Sequence, residues 1–434
     1  MKVAFYTLGC KVNQYETEAM REAFVRSGHT PVSEDAPFDA VIINSCTVTA
    51  ESDRKTRQVV RRFRRERPDA IIILTGCMVQ AFSSEAQALS EADIVAGNKD
   101  VEKIVSYAEK FMLDGERIFS VSPHEKRERF NTPTLTDFAE RTRAYMKIED
   151  GCERFCTYCI IPTARGFVRS KTIDEIKAEA EKLAEAGFSE IVLVGINLTS
   201  YGKGEDIDLC DAVSAVCAVD GVKRVRLGSL EPDHMSDEML ERLSAEEKFC
   251  PQFHLSLQSG CDETLKRMNR HYDSAFYRDL VLRIRKIFKN AAITTDVMVG
   301  FAGETEEEFN KSRSFVEEIG FAKVHIFAYS RRKGTVAYGL PGQVSRKEKA
   351  ERSHLMGEVS AKTEDLFLKS QVGKICNVLF ETAEDGYAEG YTENYSRVRV
   401  KSEISFCGNI MPVKIISAEG TYCMGEIVKD GENA

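Results

Sequence analysis

The chain has 434 residues, 43% hydrophobic and 30% charged, with 28 Gly and 10 Pro; this allows about three domains of roughly 150 residues and excludes a stapled miniprotein, a disordered chain and a collagen. Lys and Arg number 60 against 69 Asp and Glu, a net charge of −9, so the overall balance does not mark a nucleic-acid binder. No stretch reaches the roughly 18 uninterrupted apolar residues of a membrane span, and the opening MKVAFYTLGCKVNQ has no signal-peptide pattern. The expectation is a cytoplasmic protein without membrane attachment, in which 13 cysteines point to metal ligation, redox chemistry or burial rather than disulfides.

Over 1–113, short apolar runs alternate with helical patterns: VAFYTL, a helix from about 13 to 27, AVIINS, a basic helix, AIIILT, a helix near 80–89, then DIVAG. Such alternation predicts βαβ units and a doubly wound parallel sheet. The basic helix carries Arg54, Lys55, Arg57, Arg61, Arg62, Arg64, Arg65 and Arg67, either a solvated face or a phosphate-tracking surface. Residues 114–142, polar and Pro-containing, read as a linker. Over 143–370, six strand candidates (143–149, 190–195, 224–228, 253–257, 293–299, 323–328) are interleaved with amphipathic helices such as 173–186 and 304–319, and a charged helix follows from about 345 to 370. This predicts a (β/α) partial barrel with a helical extension. The remainder, 371–434, switches to strand alternation without helices, a small all-β domain. The fold class is therefore α/β with an all-β end.

Cys152, Cys156 and Cys159 lie within eight residues, directly after the first barrel strand. Three thiolates from one loop suit iron and sulfur or zinc, and three rather than four suggest a site with one position open. A second set is dispersed: Cys10 ends the first strand, Cys46 the second, Cys77 the third. In a parallel sheet these carboxyl ends share one edge, where doubly wound folds place ligands, so the three thiols should converge. The alternative for each alone is a buried small hydrophobe.

The Cys152, Cys156, Cys159 motif, with Tyr158 before its last cysteine, resembles that of the radical S-adenosylmethionine superfamily. With Cys10, Cys46 and Cys77 ahead of it and a β domain behind, the whole chain resembles a methylthiotransferase. TLGCKVNQYETEA (7–19), INSCTVT (43–49), DRKTRQVVRR (53–62) and GYTENYSRVRV (390–400) are similar to the branch acting on N6-threonylcarbamoyladenosine in tRNA. The sibling branch, acting on isopentenyladenosine, usually has Gln-Met-Asn where this chain has Lys11, Val12 and Asn13. Thr163 and Ala302 depart from the branch's pattern, outside the cysteines. The resemblance implies a radical-SAM (β/α)6 partial barrel and a TRAM-like RNA-binding barrel at the end. It implies two 4Fe-4S clusters, one on Cys152, Cys156 and Cys159 that binds S-adenosylmethionine and yields a 5′-deoxyadenosyl radical, and one on Cys10, Cys46 and Cys77 that carries the sulfur delivered to adenine carbon 2. It also implies the tRNA anticodon stem-loop as partner and a reductant such as flavodoxin or ferredoxin; the sulfur donor is unspecified.

Barrel-mouth residues are the natural lining of such a site: Asn197, Ser229, Glu231 and Gln258 are the cofactor-binding candidates, with Asp296 beside them. Glu231 and Asp296 have a salt bridge as the alternative, and Arg165 could pair with a carboxylate or fix the cluster loop. His254 and His325 lie inside apolar strands and read as satisfied core histidines. Cys210, Cys217, Cys250, Cys261, Cys376, Cys407 and Cys423 read as buried. In the β domain, six Lys or Arg (Lys374, Arg397, Arg399, Lys401, Lys414, Lys429) face ten Asp or Glu; Arg397, Arg399 and Lys401 share a strand face, with Tyr391 and Tyr395 as candidate stacking surfaces for bases. Rival readings are a methylthiotransferase for isopentenyladenosine or for a ribosomal-protein aspartate, and a non-catalytic zinc-dependent RNA-binding protein.

Overall fold

The computed structural model describes residues 1–126, 128–131, 134–136 and 142–428. Strands β1 (Lys2–Thr7), β2 (Thr30–Val32), β3 (Ala40–Ser45), β4 (Ile71–Gly76), β5 (Ile94–Ala96) and β6 (Ile118–Ser120) form a parallel sheet in the order β2-β1-β3-β4-β5-β6. β3 and β4 are buried along their whole length, as continuous apolar runs must be when helices cover both faces. Ala4, Val41, Ile43, Ile72 and Leu74 pack against Val60, Phe63 and Met78 on one side; Val3, Ile42, Ile71 and Ile73 pack against Met20, Phe24 and Ile104 on the other. The strand order reverses between β1 and β3, which opens a crevice beyond their carboxyl ends.

Two strands of this sheet were not legible in the sequence. β2 is a three-residue edge strand containing Pro31, a residue tolerated only where no partner needs its N–H. β6 lies inside the stretch read as a linker, which corrects that reading for 118–120: three residues amid polar flanks give no apolar run to detect. Of the same stretch, 127, 132, 133 and 137–141 lie outside the described residues.

The middle of the chain supplies β7 (Ala144–Lys147), β8 (Glu149–Asp150), β9 (Arg169–Ser170), β10 (Glu190–Val194), β11 (Arg224–Leu227), β12 (Ser229–Leu230), β13 (Gln252–Leu255), β14 (Ala292–Val299) and β15 (Lys323–Ala328). Parallel pairing runs β11-β10-β7 on one side and β12-β13-β14-β15 on the other. β11 and β12 are one stave interrupted at Gly228, so six parallel staves make a partial barrel, and β8 with β9 forms a short antiparallel ribbon at its edge. Capping boxes start its helices where expected: Thr172 with Glu175 opens Ile173–Glu185, and Thr305 with Glu308 opens Glu306–Ile319. The N-terminal sheet is locked to the barrel through helix Lys11–Arg26, whose Tyr15 hydroxyl donates to Glu179 at 2.8 Å while Lys171 pairs with the same carboxylate.

After helix Arg346–Lys369, strands β16 (Ile375–Glu384), β17 (Tyr387–Tyr391), β18 (Arg397–Lys401), β19 (Ile410–Glu419) and β20 (Tyr422–Ile427) close a five-stranded barrel in the order β16-β17-β18-β20-β19. Val378, Phe380, Val398, Val400, Val413 and Ile415 fill it. It sits on the amino ends of the large barrel's strands: Arg224 donates to the Asn377 and Tyr391 carbonyls, Arg226 to the Glu393 carbonyl at 2.8 Å, and Asn394 to the Asn290 carbonyl at 3.1 Å. Tyr391 and Tyr395 stack on each other at 4.6 Å, with Arg143 about 5 Å from both rings and Arg226 4.7 Å from Tyr395. These tyrosines thus sit at the junction between the barrels, each with one ring face taken by the other, while Tyr395 keeps 38% of its surface exposed. Arg397 is held by Glu389 at 2.6 and 2.7 Å and Arg399 by the same carboxylate at 3.5 Å, so two arginines of β18 share one carboxylate, and Lys401 at its end is exposed. Lys429 lies outside the described residues. Among the described residues no helix is long and apolar enough to cross a membrane.

Candidate active site

The first cysteine loop leaves β8 at Gly151, whose φ of +90° and whose absent Cβ both matter: a Cβ there would stand 2.0 Å from the Phe167 carbonyl oxygen. The loop is pinned at each end. The Cys152 N–H donates to the Gly166 carbonyl at 3.0 Å, the Thr157 N–H to that of Met268 at 3.0 Å, and the Cys159 N–H to that of Cys156 at 2.9 Å. All three thiols are partly exposed at the residue level, but burial, then neighbouring thiols, push Cys159 well up; burial pushes Cys152 to about 12, against a backbone hydrogen bond at Arg154. Groups so placed stay neutral until a cation replaces their protons. Arg270, buried against Tyr272, donates to Cys156 Sγ at 3.3 Å and also holds Glu231.

The second set assembles as the parallel sheet requires. Cys10 caps the amino end of helix Lys11–Arg26, Cys46 follows the last residue of β3, and Cys77 follows the last residue of β4. Ser45 and Gly76 are paired across the sheet, which sets Cys46 beside Cys77, and a Cβ on Gly9 would lie 3.1 Å from that of Cys46. Asn13 organises the crevice: its Oδ1 accepts from Cys10 Sγ at 3.3 Å while its amide donates to Asn44 and to the Ser45 carbonyl, each at 3.1 Å. Cys10 is exposed, whereas Cys46 and Cys77 are buried; burial lifts Cys77 to about 12 in spite of the Arg165 charge. Among the described residues no three His, Cys, Asp or Glu side chains are grouped to hold a single metal ion. Neither triplet is drawn into a mononuclear site, and a four-iron cluster spreads its thiolates wider than one ion does. Three soft thiols per set suit iron and sulfur and fit that group.

Arg165 joins the two sets. Fully buried, it donates from Nε to Cys77 Sγ at 3.2 Å and grips both oxygens of Glu16, while the next residue supplies the carbonyl that receives the Cys152 N–H. Lys147 completes the cluster, 2.8 Å from Glu16 and 2.7 Å from Asp150. Burial would raise both carboxyls, but Arg165 and Lys147 hold Glu16 below the usual range, and Lys147, Arg165 and Arg169 hold Asp150 further below. Glu149 is the reverse case. Burial carries its carboxyl well up, one oxygen accepts the Asn197 N–H at 2.8 Å, and the other has no partner.

A cavity of about 620 Å³ occupies the large barrel, from Cys10, Lys11, Ser229 and Asp296 down to Arg143, Arg226, Tyr391 and Tyr395. Ser229 faces it. Glu231 takes the salt-bridge alternative, with Arg270 and with Arg154 at 3.9 Å. Asn197 is buried, its side chain bonded to Ser200 at 2.8 Å, and Gln258 has a φ of +67° and accepts at its carbonyl from the Met298 N–H; neither lines the cavity. His254 is satisfied by Thr294 at 3.0 Å and Asp296 at 3.4 Å, yet it and His325 face the cavity rather than the core. Of the seven remaining cysteines, six are buried and Cys407 is exposed, on a turn where no apolar layer covers it. Arg270 and Glu149 were not singled out from the sequence, since their roles rest on partners distant along the chain, and Asn13 was noted there only as part of a motif.

The basic helix, Ala50–Glu66, is less free than its sequence suggests. Arg57, Arg61 and Arg62 pair with Glu85, Glu91 and Glu34, and Arg64 binds Asp93 and the carbonyls of Pro68, Ala70 and Glu91. Lys55 and Arg65 are exposed and outside these pairs. Arg64→Ala is expected to cost about 1–3 kcal/mol in urea unfolding, from the loss of several charge-assisted hydrogen bonds to part-buried carbonyls and to Asp93, and to leave the salt dependence of RNA binding unchanged. Arg65→Ala should instead lower that slope by roughly 0.7–0.9 per phosphate contact without a change in stability.

Comparison with known proteins places these sites in a family. The radical SAM superfamily model matches residues 146–316, and that of uncharacterized protein family UPF0004 matches 2–97. The threonylcarbamoyladenosine tRNA methylthiotransferase MtaB of Bacillus subtilis is 38% identical, covering 98% of this chain and 96% of its own; that of Thermotoga maritima is 36% identical, covering 98% of each. A tRNA-2-methylthio-N(6)-dimethylallyladenosine synthase of Clostridium botulinum is 33% identical over 97% of this chain and 95% of its own. Among solved structures, the radical S-adenosylmethionine methyltransferase TsrM from Kitasatospora setae shares the fold at 13% identity, with a TM-score of 0.56 over 77% of this chain and 76% of that one. Matched along nearly its whole length, with a cysteine triplet inside each family segment, the chain belongs to the radical S-adenosylmethionine tRNA methylthiotransferase family.

Proposed function

We propose that this protein transfers a methylthio group to carbon 2 of N6-threonylcarbamoyladenosine beside the tRNA anticodon, in the cytoplasm. The observation that carries the reading is the pair of cysteine triplets linked through Arg165 and Gly166, with Cys10 of one triplet on the wall of a cavity of about 620 Å³, in a chain whose relatives at 36–38% identity bear that activity in their names. In this reading Cys152, Cys156 and Cys159 hold one 4Fe-4S cluster and Cys10, Cys46 and Cys77 the other. When bound, the clusters and S-adenosylmethionine supply the radical that breaks an unactivated C–H bond and the sulfur that replaces its hydrogen.

The chain's own part is placement. Arg270 and Arg165 each present an N–H to one ligand sulfur, Ser229 and Asp296 line the approach, and the Tyr391–Tyr395 pair closes the far end and keeps bulk water out. Electrons come from a small reductant such as flavodoxin or ferredoxin, and the anticodon stem-loop lies along the exposed Lys55 and Arg65. Nucleoside mass spectrometry of tRNA from cells with and without the gene tests this. The methylthio group should vanish from threonylcarbamoyladenosine alone, with the precursor accumulating. Loss from isopentenyladenosine, or an unchanged profile, overturns the reading.

A further inference from the structure

We propose that the Lys11 ammonium is the binding subsite for the carboxylate of the substrate's threonyl group. The inference rests on the threonylcarbamoyladenosine reading above and names the residue that recognises what is particular to that base. The cavity is lined by several cations, nearly all of them already neutralised. Arg143 and Arg226 share Glu190 at 3.4 and 3.1 Å, Lys323 pairs with Glu364 at 3.4 Å, and Arg397 with Glu389 at 2.6 Å. Among the described lining residues Lys11 is the remaining lysine or arginine, and no carboxylate lies within 4.0 Å of it; its Nζ stands 6.0 Å from the centre of the Tyr145 ring.

Position supports the assignment. Lys11 follows Cys10 directly, and both line the same cavity, so the charge and one thiol of the triplet assigned to the sulfur face a common space. An adenine that presents carbon 2 to that triplet carries its N6 substituent within the same cavity. The threonyl carboxylate is the fixed negative charge on that base, whereas an isopentenyl or a bare amino group has none. Lys11 is exposed on the cavity wall and has no carboxylate partner there, and a substrate carboxylate supplies one through a charge-assisted hydrogen bond. Asp296, on the same cavity and already engaged by His254 at 3.4 Å, repels a carboxylate from its own side.

The test is equilibrium binding to the anaerobic, fully loaded protein of three anticodon stem-loops: one with threonylcarbamoyladenosine, one with the same base as its neutral threonyl methylamide, and one with unmodified adenosine. Wild type should prefer the carboxylate over the methylamide by roughly tenfold or more. Lys11→Gln should lose that preference while binding the methylamide and unmodified RNAs as before, and Lys11→Arg should retain it. In turnover the Lys11→Gln defect should fall on KM more than kcat. A preference unchanged in Lys11→Gln, or equal weakening of all three RNAs, overturns the assignment. Wild type that fails to distinguish threonylcarbamoyladenosine from adenosine overturns the substrate reading itself.

Discussion

Cys77→Ala is expected to abolish methylthio transfer, by roughly a thousandfold or more, as happens when one member of a group acting as a unit is removed, while S-adenosylmethionine is still cleaved. Cys77 follows β4, beside Cys46, and its Sγ accepts from Arg165 Nε at 3.2 Å. Under the proposed assignment its loss strips one iron–sulfur site and leaves the other. Iron content should fall by half, and 5′-deoxyadenosine should continue to form when reductant is supplied. Cys156→Ala should do the opposite to the second readout: half the iron is lost and 5′-deoxyadenosine production stops. A Cys77→Ala protein with full iron, or one unable to cleave S-adenosylmethionine, contradicts the assignment of separate roles.

The second large effect is on stability. Arg165→Met is expected to cost about 3–5 kcal/mol, the scale for breaking a buried ion pair and stranding its partners, because Glu16 and Asp150 then share Lys147 and Arg169 alone. The pH dependence carries a distinct signature. Both carboxyls have folded values below their unfolded ones, so their contribution is complete above the unfolded carboxylate range near 4 and disappears as pH falls through the folded values. Without Arg165 those values rise, and the acid loss of stability should begin at higher pH than in wild type, as urea midpoints measured from pH 7 to pH 3 will show. Glu190 provides an internal reference. Burial alone would raise it, yet Arg226 and Arg143 hold it at about 2, and its share, lost as pH falls from about 4.5 towards 2, should be the same in both proteins.

The cysteine pattern was legible because parallel βαβ topology leaves little freedom: residues that end successive strands must meet at one edge, and Cys10, Cys46 and Cys77 do. A further cue is the glycine before a cysteine at 9–10, 76–77 and 151–152, each with positive φ. The dipeptide alone does not discriminate, since Gly260 precedes the buried Cys261 without that conformation. What escaped the sequence was pairing across long separations. Arg165 meets Cys77 and Glu16 from 88 and 149 residues away, and nothing local says which carboxylate an arginine will find. The basic helix misled for the same reason: Glu34, Glu85, Glu91 and Asp93, which neutralise much of it, lie on other elements. Alternation along β18 tells which side chains share a face, but not that the neighbouring Tyr391 and Tyr395 are covered by Arg143 and Arg226.

That covering has a practical bearing on how the last domain is studied. The wall of the cavity comes from residues 10–12, from positions between 143 and 325 and from 364–368, and its base from the small barrel beginning near 375, so cutting off the small barrel is a double lesion. Such a truncation removes whatever grip on RNA the domain provides, and it also uncaps Arg143, Arg224 and Arg226 and lets solvent in behind the substrate. Loss of turnover in a truncated chain would thus report chamber integrity as much as RNA affinity, and point changes on the outer face of the small barrel are the cleaner instrument for separating the two.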